Sequence, residues 1–340
     1  MARKSRASKL VKIEDVAAAA GVSIMTVSRA LRGVEGVSEG KRLEIIEISQ
    51  RLGYRPNPNA RSLMGGASGL IGISFPTLFN DVFAGILDGL RPAFEANGFT
   101  TVVNTTEYDA DRERAWVEQV LSWRPAGLVL TGADHGPTVR EAIQTRQIPT
   151  LQVWDFTDAP IDICVGVDHQ NAGYQLARAM IALGYRQPGY VGIQHGKDQR
   201  AEKRLNGICH AFAEAGLGAV AEMRMPGSSY RAGYDGFQAL WAQAPRPDIV
   251  FFLSDHFAFA GLMACQVMGI RVPDEVGLAG FNGLDITEVL PLRLTTARTP
   301  RRKMGVQGAK NLIARMHGVS SDLSVELQTE LIHGETTRRP

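Results

Sequence analysis

With 340 residues, 44% hydrophobic content and 7% aromatics, the chain has the makings of two or three α/β domains and is too apolar for a disordered protein. Its net charge of +2 conceals a division: residues 1–66 carry twelve of the 37 Lys and Arg and six of the 35 Asp and Glu, a net +6, which leaves −4 on the remainder. A basic head on a mildly acidic body is the distribution of a nucleic-acid reader with a separate sensor. No run of about 18 apolar residues exists, and none follows the basic Arg3, Lys4, Arg6 and Lys9, so a soluble cytoplasmic protein without export signal or membrane anchor is expected.

Residues 13–32 predict two short helices joined at Gly21-Val22-Ser23. Ile13, Val16, Ala17 and Ala20 share one face at i, i+3, i+4, i+7. Gly21 permits the left-handed stop, and Ser23 is a favoured N-cap for the second helix. On that helix Val27 and Leu31 face the first, whereas Ile24, Met25, Ser28 and Arg29 project outward, as in a helix that enters a DNA major groove. A plain three-helix bundle is the alternative. A third helix starts at Ser38 and runs through Leu43, Ile46 and Leu52 to a stop at Gly53. Asn57 and Pro58 then suit the start of another helix, and Gly65-Gly66 end it after about two turns. Helices below about 12 residues do not hold their shape alone in water, so this one orders only when something holds it. The Ala60/Leu63 spacing favours a helix over a plain Pro/Asn/Gly linker.

From Leu70 onward strand and helix alternate. Strands are predicted at 70–75, 101–104, 127–131 and 150–153, with helices over 83–96, 110–122 and 138–146. A second set begins near Asp168, with strands at 188–193, 220–225, 248–253 and 276–281. The last segments, strand-like 294–298, a helix over 300–316 and 325–332, are expected to return across the junction. Such βαβ alternation implies parallel sheets covered by helices, here in two similar lobes.

Taken together, Asp15-Val16-Ala17, Ala20-Gly21-Val22-Ser23, Thr26-Val27-Ser28-Arg29 and Leu52-Gly53-Tyr54-Arg55-Pro56-Asn57 resemble the LacI/GalR family of bacterial transcriptional regulators. One departure is local: Lys12 stands where the family often has a Thr or Ser cap, a loss of about 1 kcal/mol of capping. The resemblance implies an all-α helix-turn-helix domain over 1–55, a hinge helix over 56–66 and, over 67–340, a two-lobed α/β sensor like the periplasmic sugar-binding proteins. Lobe one is then about 67–167 and 294–324, and lobe two about 168–293 and 325–335, with three crossings between them. DNA-facing residues are Ser23, Ile24, Met25, Thr26, Ser28 and Arg29, with Asn57, Ala60, Arg61, Leu63 and Met64 of the hinge. Ile24 and Met25 suit thymine methyls, Arg29 a guanine edge, and Thr26 and Ser28 phosphates. The resemblance implies that Leu63 matches the leucine that wedges into the minor groove.

For the effector cleft the same resemblance carries over Asn80, Phe83, Trp154, Asp155, Arg200, Arg204, Ser254 and Asp255. Asn282 stands where the family usually has an aspartate that holds sugar hydroxyls. A neutral amide in place of a carboxylate near Arg204 removes repulsion of an anion, which a guanidinium grips at two points. The cleft therefore reads as selecting a sugar acid, and the segments Val82-Phe83-Ala84, Leu121-Ser122-Trp123, Asp134-His135, Ser228-Ser229-Tyr230 and Thr299-Pro300-Arg301 are similar to the gluconate-utilisation repressor branch. His135 is either a ligand contact or a loop histidine, and Tyr230 a weaker candidate. A neutral sugar or a purine is the alternative ligand, and a transport-type binding protein the alternative class.

Nothing points to catalysis. Ser254, Asp255 and His256 are consecutive, so their side chains diverge and form no triad. Cys164, Cys209 and Cys265 lie far apart in apolar stretches and read as free thiols, and neither they nor the seven histidines have metal-ligand spacing. No cofactor is expected. The expected partners are a small effector, a second copy of the chain, and a near-palindromic operator read by the two heads. Replacing Leu63 with Ala is expected to weaken operator binding in a gel-shift titration while leaving effector affinity of the free protein unchanged.

Overall fold

The computed structural model describes residues 11–54, 68–78, 81–196, 198–320 and 322–339. Asn57, Ala60, Arg61, Leu63 and Met64 of the expected hinge, and Asn80 of the expected cleft, lie outside the described residues. The chain divides into two compact units at the Ser68/Gly69 junction.

In the first unit α1 (Ile13–Ala20), α2 (Ile24–Arg32) and α3 (Glu39–Leu52) enclose a core of Val16, Ala17, Ala20, Val27, Ala30, Ile45 and Ile48. Gly21 adopts φ 63°, the left-handed turn that ends α1. Ser23 then caps α2 by accepting a hydrogen bond from the Thr26 amide at 3.1 Å. Lys12 supplies no side-chain cap to α1, but the Asp15 carboxylate accepts from the Lys12 amide at 2.8 Å, so that end is not bare. The far end of α1 is met by Lys41, whose ammonium donates to the Ala20 carbonyl at 3.0 Å. On α3 the buried face differs from the expected one. Ile45 and Ile48 are covered and Leu43 is 60% exposed. Positions 45, 48 and 52 share a face at i, i+3, i+7, whereas the set starting at 43 runs into Gln50.

The second unit carries two sheets built to one plan. In the first lobe β1 (Leu70–Phe75), β2 (Thr100–Thr105), β3 (Gly127–Thr131), β4 (Thr150–Asp155), β5 (Ile163–Val167) and β11 (Ser324–Glu326) lie in the order β2-β1-β3-β4-β5-β11, all parallel. In the second, β6 (Pro188–Ile193), β7 (Ala221–Met225), β8 (Ile249–Phe252), β9 (Gly277–Asn282), β10 (Thr295–Arg298) and β12 (Glu330–Ile332) lie in the order β7-β6-β8-β9-β10-β12, with β12 antiparallel. The helices are α4 (Asp81–Ala96), α5 (Ala110–Ser122), α6 (Pro137–Arg146), α7 (His169–Ala182), α8 (Gln199–Glu214), α9 (Tyr230–Trp241), α10 (Asp255–Met268), α11 (Ile286–Val289) and α12 (Arg301–Met316). Among the described residues no helix is long and apolar enough to cross a membrane.

Two expectations about the lobes are corrected. The strand at 295–298 pairs with β9 and so belongs to the second lobe, not the first. The segment at 325–332, expected wholly in the second lobe, holds parts of two strands, of which β11 joins the first sheet and β12 the second. Strand β5, absent from the sequence expectation, sits between β4 and β11. The crossings fall after Val167, between Arg298 and Arg301, and between Glu326 and Glu330.

Glycine sets how closely helices approach beside these crossings. A Cβ on Gly89 of α4 would collide with the Arg302 carbonyl of α12, and one on Gly305 with the Ile86 carbonyl. In the second lobe a Cβ on Gly173 of α7 would collide with the Arg204 carbonyl of α8, and one on Gly207 with the Gln170 carbonyl. One buried cluster continues from Ile73 and Phe75 through Trp154 to Leu205, Phe251 and Phe281, so the lobes share apolar packing beneath their junction. Gly207→Ala is expected to force α7 and α8 apart and to lower stability by about 2–3 kcal/mol, read as a lower urea midpoint.

Candidate functional site

On the three-helix unit, the N-terminal turn of α2 presents Ile24 and Met25 about half exposed, at 47% and 48%. Neither has a hydrogen-bonding group, so what they offer is apolar contact. Arg29 is exposed one turn later, while Thr26 and Ser28 are half-buried. The Thr26 hydroxyl lies 2.9 Å from that of Ser23, so the cap and the polar edge of the turn are one hydrogen-bonded pair. Val27, fully buried on the opposite side, anchors the helix and fixes which face remains free.

In the second unit a cavity of about 570 Å³ opens between the lobes. It lies outside the carboxyl ends of the strands of both sheets, where chains leaving β1 and β3, or β6 and β8, depart to opposite sides. The first lobe contributes Phe83, Tyr108 and Trp154, and the second Arg204, Ser254 and Asn282. Phe83 stacks on Phe75 at 5.5 Å and meets Trp154 edge-on at 6.0 Å, which fixes an apolar wall. Gln194, Ser228 and Ser254 bring amide and hydroxyl groups to the same space.

The electrostatics centre on α8. Arg204 is 5% exposed, lies 4.6 Å over the Phe281 ring, and donates to the Leu253 carbonyl at 3.3 Å and to His169 Nδ1 at 3.2 Å. Among the described residues it has no carboxylate within 4.0 Å, whereas Arg200 is paired with Asp198 at 2.9 Å and Lys203 with Asp155 at 2.6 Å. Burial works against the Asp198 anion, but Arg200 and Arg204 outweigh it and hold that carboxyl below its usual range. Asp198, Arg200 and Arg204 thus carry a net +1 in a buried wall. Asn282, 4% exposed with a left-handed φ of 108°, has a buried Oδ1 without a hydrogen-bond partner among the described residues. A buried guanidinium at a cavity wall with no paired carboxylate is costly unless a ligand's negative charge meets it.

Several expected residues stand elsewhere. His135 lies off the cavity wall, with its nitrogens 2.9 Å from Glu113 Oε2 and 3.1 Å from the Gly132 carbonyl, so it holds a loop. Asp155 is 2% exposed and is bound to Lys203; burial pushes its carboxyl up, against the lysine, and it lines a separate hollow with Asp168 and Asn171. Arg200 instead bridges the lobes, its guanidinium 5.6 Å from the Tyr108 ring centre and close enough to Gly132 that a Cβ there would sit 2.8 Å away. Asp255 is fully buried, accepting from the Thr296 hydroxyl at 2.6 Å and the Leu284 amide at 2.7 Å, and so ties down the turn after β9. Sequence reading missed Tyr108, Asp198 and His169. The acidic residue two places before Arg200 was the visible signal for Asp198.

These features have counterparts in known proteins. The model of periplasmic binding proteins and the sugar binding domain of the LacI family matches residues 69–332, and that of bacterial regulatory proteins of the lacI family matches residues 12–57. The chain is 36% identical over 308 residues to the HTH-type transcriptional regulator GntR of Escherichia coli K12, covering 91% of this chain and 92% of that protein. It is 31% identical to the GntR of Pseudomonas aeruginosa, with 98% of each covered. A LacI-family regulator from Silicibacter pomeroyi superposes with a TM-score of 0.90 at 31% identity, covering 97% of this chain and 100% of that one. The lac repressor dimer bound to operator shares the fold, with a TM-score of 0.84 at 22% identity over 97% of this chain and 100% of that one.

The reassigned Asp255 gives a pH test. Burial, against the bonds from Thr296 and Leu284, pushes its carboxyl up to about 7. A raised folded value means stability that is complete below the unfolded pKa near 4 and is lost as pH rises toward 7. Asp255→Asn is expected to remove that component, up to about 1.4 kcal/mol per pH unit, so the wild-type advantage in urea midpoint shrinks from pH 4 to 7.

Proposed function

Because the chain belongs to the LacI family of bacterial regulatory proteins and is a DNA-binding transcriptional regulator, we propose that it is a cytoplasmic, dimeric repressor whose cleft takes a sugar acid, gluconate or a close relative. The observation that carries the ligand class is the buried Arg204, which has no carboxylate partner among the described residues and shares the cavity with the amide of Asn282. A carboxylate ligand supplies the missing negative charge and accepts from the guanidinium at two points. Hydroxyls along a sugar chain match Gln194, Ser228 and Ser254, and its C–H faces match Phe83 and Trp154. The relatives named GntR favour the same reading.

Ligand control follows from what already bridges the lobes. Lys203 of the second lobe meets Asp155 and, at 3.7 Å, Asp134 of the first, and Arg200 meets Tyr108. An anion seated at Arg204 enters the same cluster of charges and alters the balance that holds the lobes at their present separation. In a dimer that shift changes the spacing of two DNA-reading heads on a near-palindromic operator. Reciprocity then requires that a ligand which weakens DNA binding be held less tightly on DNA. The cleft acts here by binding and not by turnover.

A thermal-shift series with gluconate, glucose and hypoxanthine tests the proposal. Gluconate is expected to stabilise by about 2.7 kcal/mol at a hundredfold excess over Kd and to change the affinity for an inverted-repeat duplex. Stabilisation by glucose or hypoxanthine, and not by gluconate, overturns the sugar-acid reading.

A further inference from the structure

Resting on the sugar-acid reading, we infer that His169 is a positioning residue that aims Arg204 at the ligand's carboxylate, by standing as a neutral imidazole between Arg204 and the backbone of Trp154. His169 is fully buried and opens α7, the first element after the first crossing. Its Nε2 lies 3.2 Å from the Trp154 carbonyl of β4, and its Nδ1 lies 3.2 Å from Arg204 Nη1 of α8. The two partners dictate the tautomer. A carbonyl only accepts and a guanidinium only donates, so the ring carries its proton on Nε2 and a lone pair on Nδ1. Burial and the charges of Arg204, Arg200 and Lys203 hold it neutral, well below the ordinary histidine range.

Both partners are fixed before the ligand arrives. Trp154 has a left-handed φ of 83°, and its amide donates to Met304 Sδ at 3.1 Å. The chain at this kink presses so close to Gly166 that a Cβ there would sit 2.5 Å from the Asp155 carbonyl carbon. The imidazole packs between two rings tilted to it, 4.9 Å from Trp154 and 6.0 Å from Phe281, and Phe281 also lies beneath the Arg204 guanidinium. Arg204 is therefore aimed by a neutral acceptor in place of a carboxylate. A carboxylate there would cancel the charge that the ligand needs, whereas an imidazole orients the guanidinium and leaves its charge unspent.

Two substitutions separate the two bonds. His169→Asn keeps an acceptor at the position of Nδ1 and loses the bond to Trp154. His169→Gln keeps a donor at the position of Nε2 and loses the acceptor for Arg204. Calorimetric affinities for gluconate and for its alditol, glucitol, are measured with wild type and both variants, with melting temperatures recorded in parallel. The expected result is that the gluconate-over-glucitol preference falls tenfold or more in His169→Gln and stays within about threefold of wild type in His169→Asn, whatever each does to melting temperature. A structural role alone would move stability and leave that preference intact. A wild-type preference that His169→Gln preserves, or that both variants lose equally, overturns the inference and leaves the sugar-acid reading standing. A wild type with no preference for gluconate overturns both.

Discussion

Arg204 stands in the cleft because two helices touch with no side chains between them. Gly173 and Gly207 let α7 and α8 meet backbone to backbone, and this contact brings the first residue of α7 within hydrogen-bonding distance of the second turn of α8. Any larger residue at either position moves the guanidinium away from its imidazole and its carbonyl. The buried charge balance depends on that closeness. Asp198 and Arg200 nearly cancel, and the remaining positive charge is presented to the cavity on one rigid helix. A flexible lysine on a loop could not offer a planar carboxylate the same fixed fork.

The contacts between the lobes described here run largely from the N-terminal half of α8. Arg200 reaches Tyr108 and Gly132, Lys203 reaches Asp155 and Asp134, and Arg204 reaches Trp154 through His169. One helix of the second lobe thus directs three cations at the first. The apolar cluster below them is shared by both lobes, so rearrangement at the cleft is felt by packed side chains as well as by surface charges. A ligand that adds a negative group among these cations acts at the place where the lobes already negotiate their distance.

Local chemistry was legible in the sequence and long-range pairing was not. Gly21 and Ser23 announce the turn and cap of the head because each has a backbone reason to be there. The strands from 70 to 155 and 188 to 282 show as apolar runs bounded by turn residues. Strand β5 was passed over because the loop over 156–162 separates it from β4 and it runs at once into the Asp168 cap of α7. The strand at 295–298 was recognised but assigned to the wrong lobe, since no local pattern tells a strand which of two like sheets it will join. The same limit governs the cleft. Phe83, Trp154, Arg204, Ser254 and Asn282 share its wall, whereas Asp255 and His135, polar residues beside strand ends, turned out to hold turns. Tyr108 and His169 gain meaning only from partners that lie far away along the chain.

The order of strands has a consequence for how the molecule is made. Strand β11 forms one edge of the first sheet beside β5, and β12 one edge of the second beside β10, and both follow α12 in the chain. During synthesis the three-helix head, built from residues 13–52, can be finished while each sheet still lacks an edge strand. Each sheet therefore waits for its sixth strand until chain beyond α12 is available.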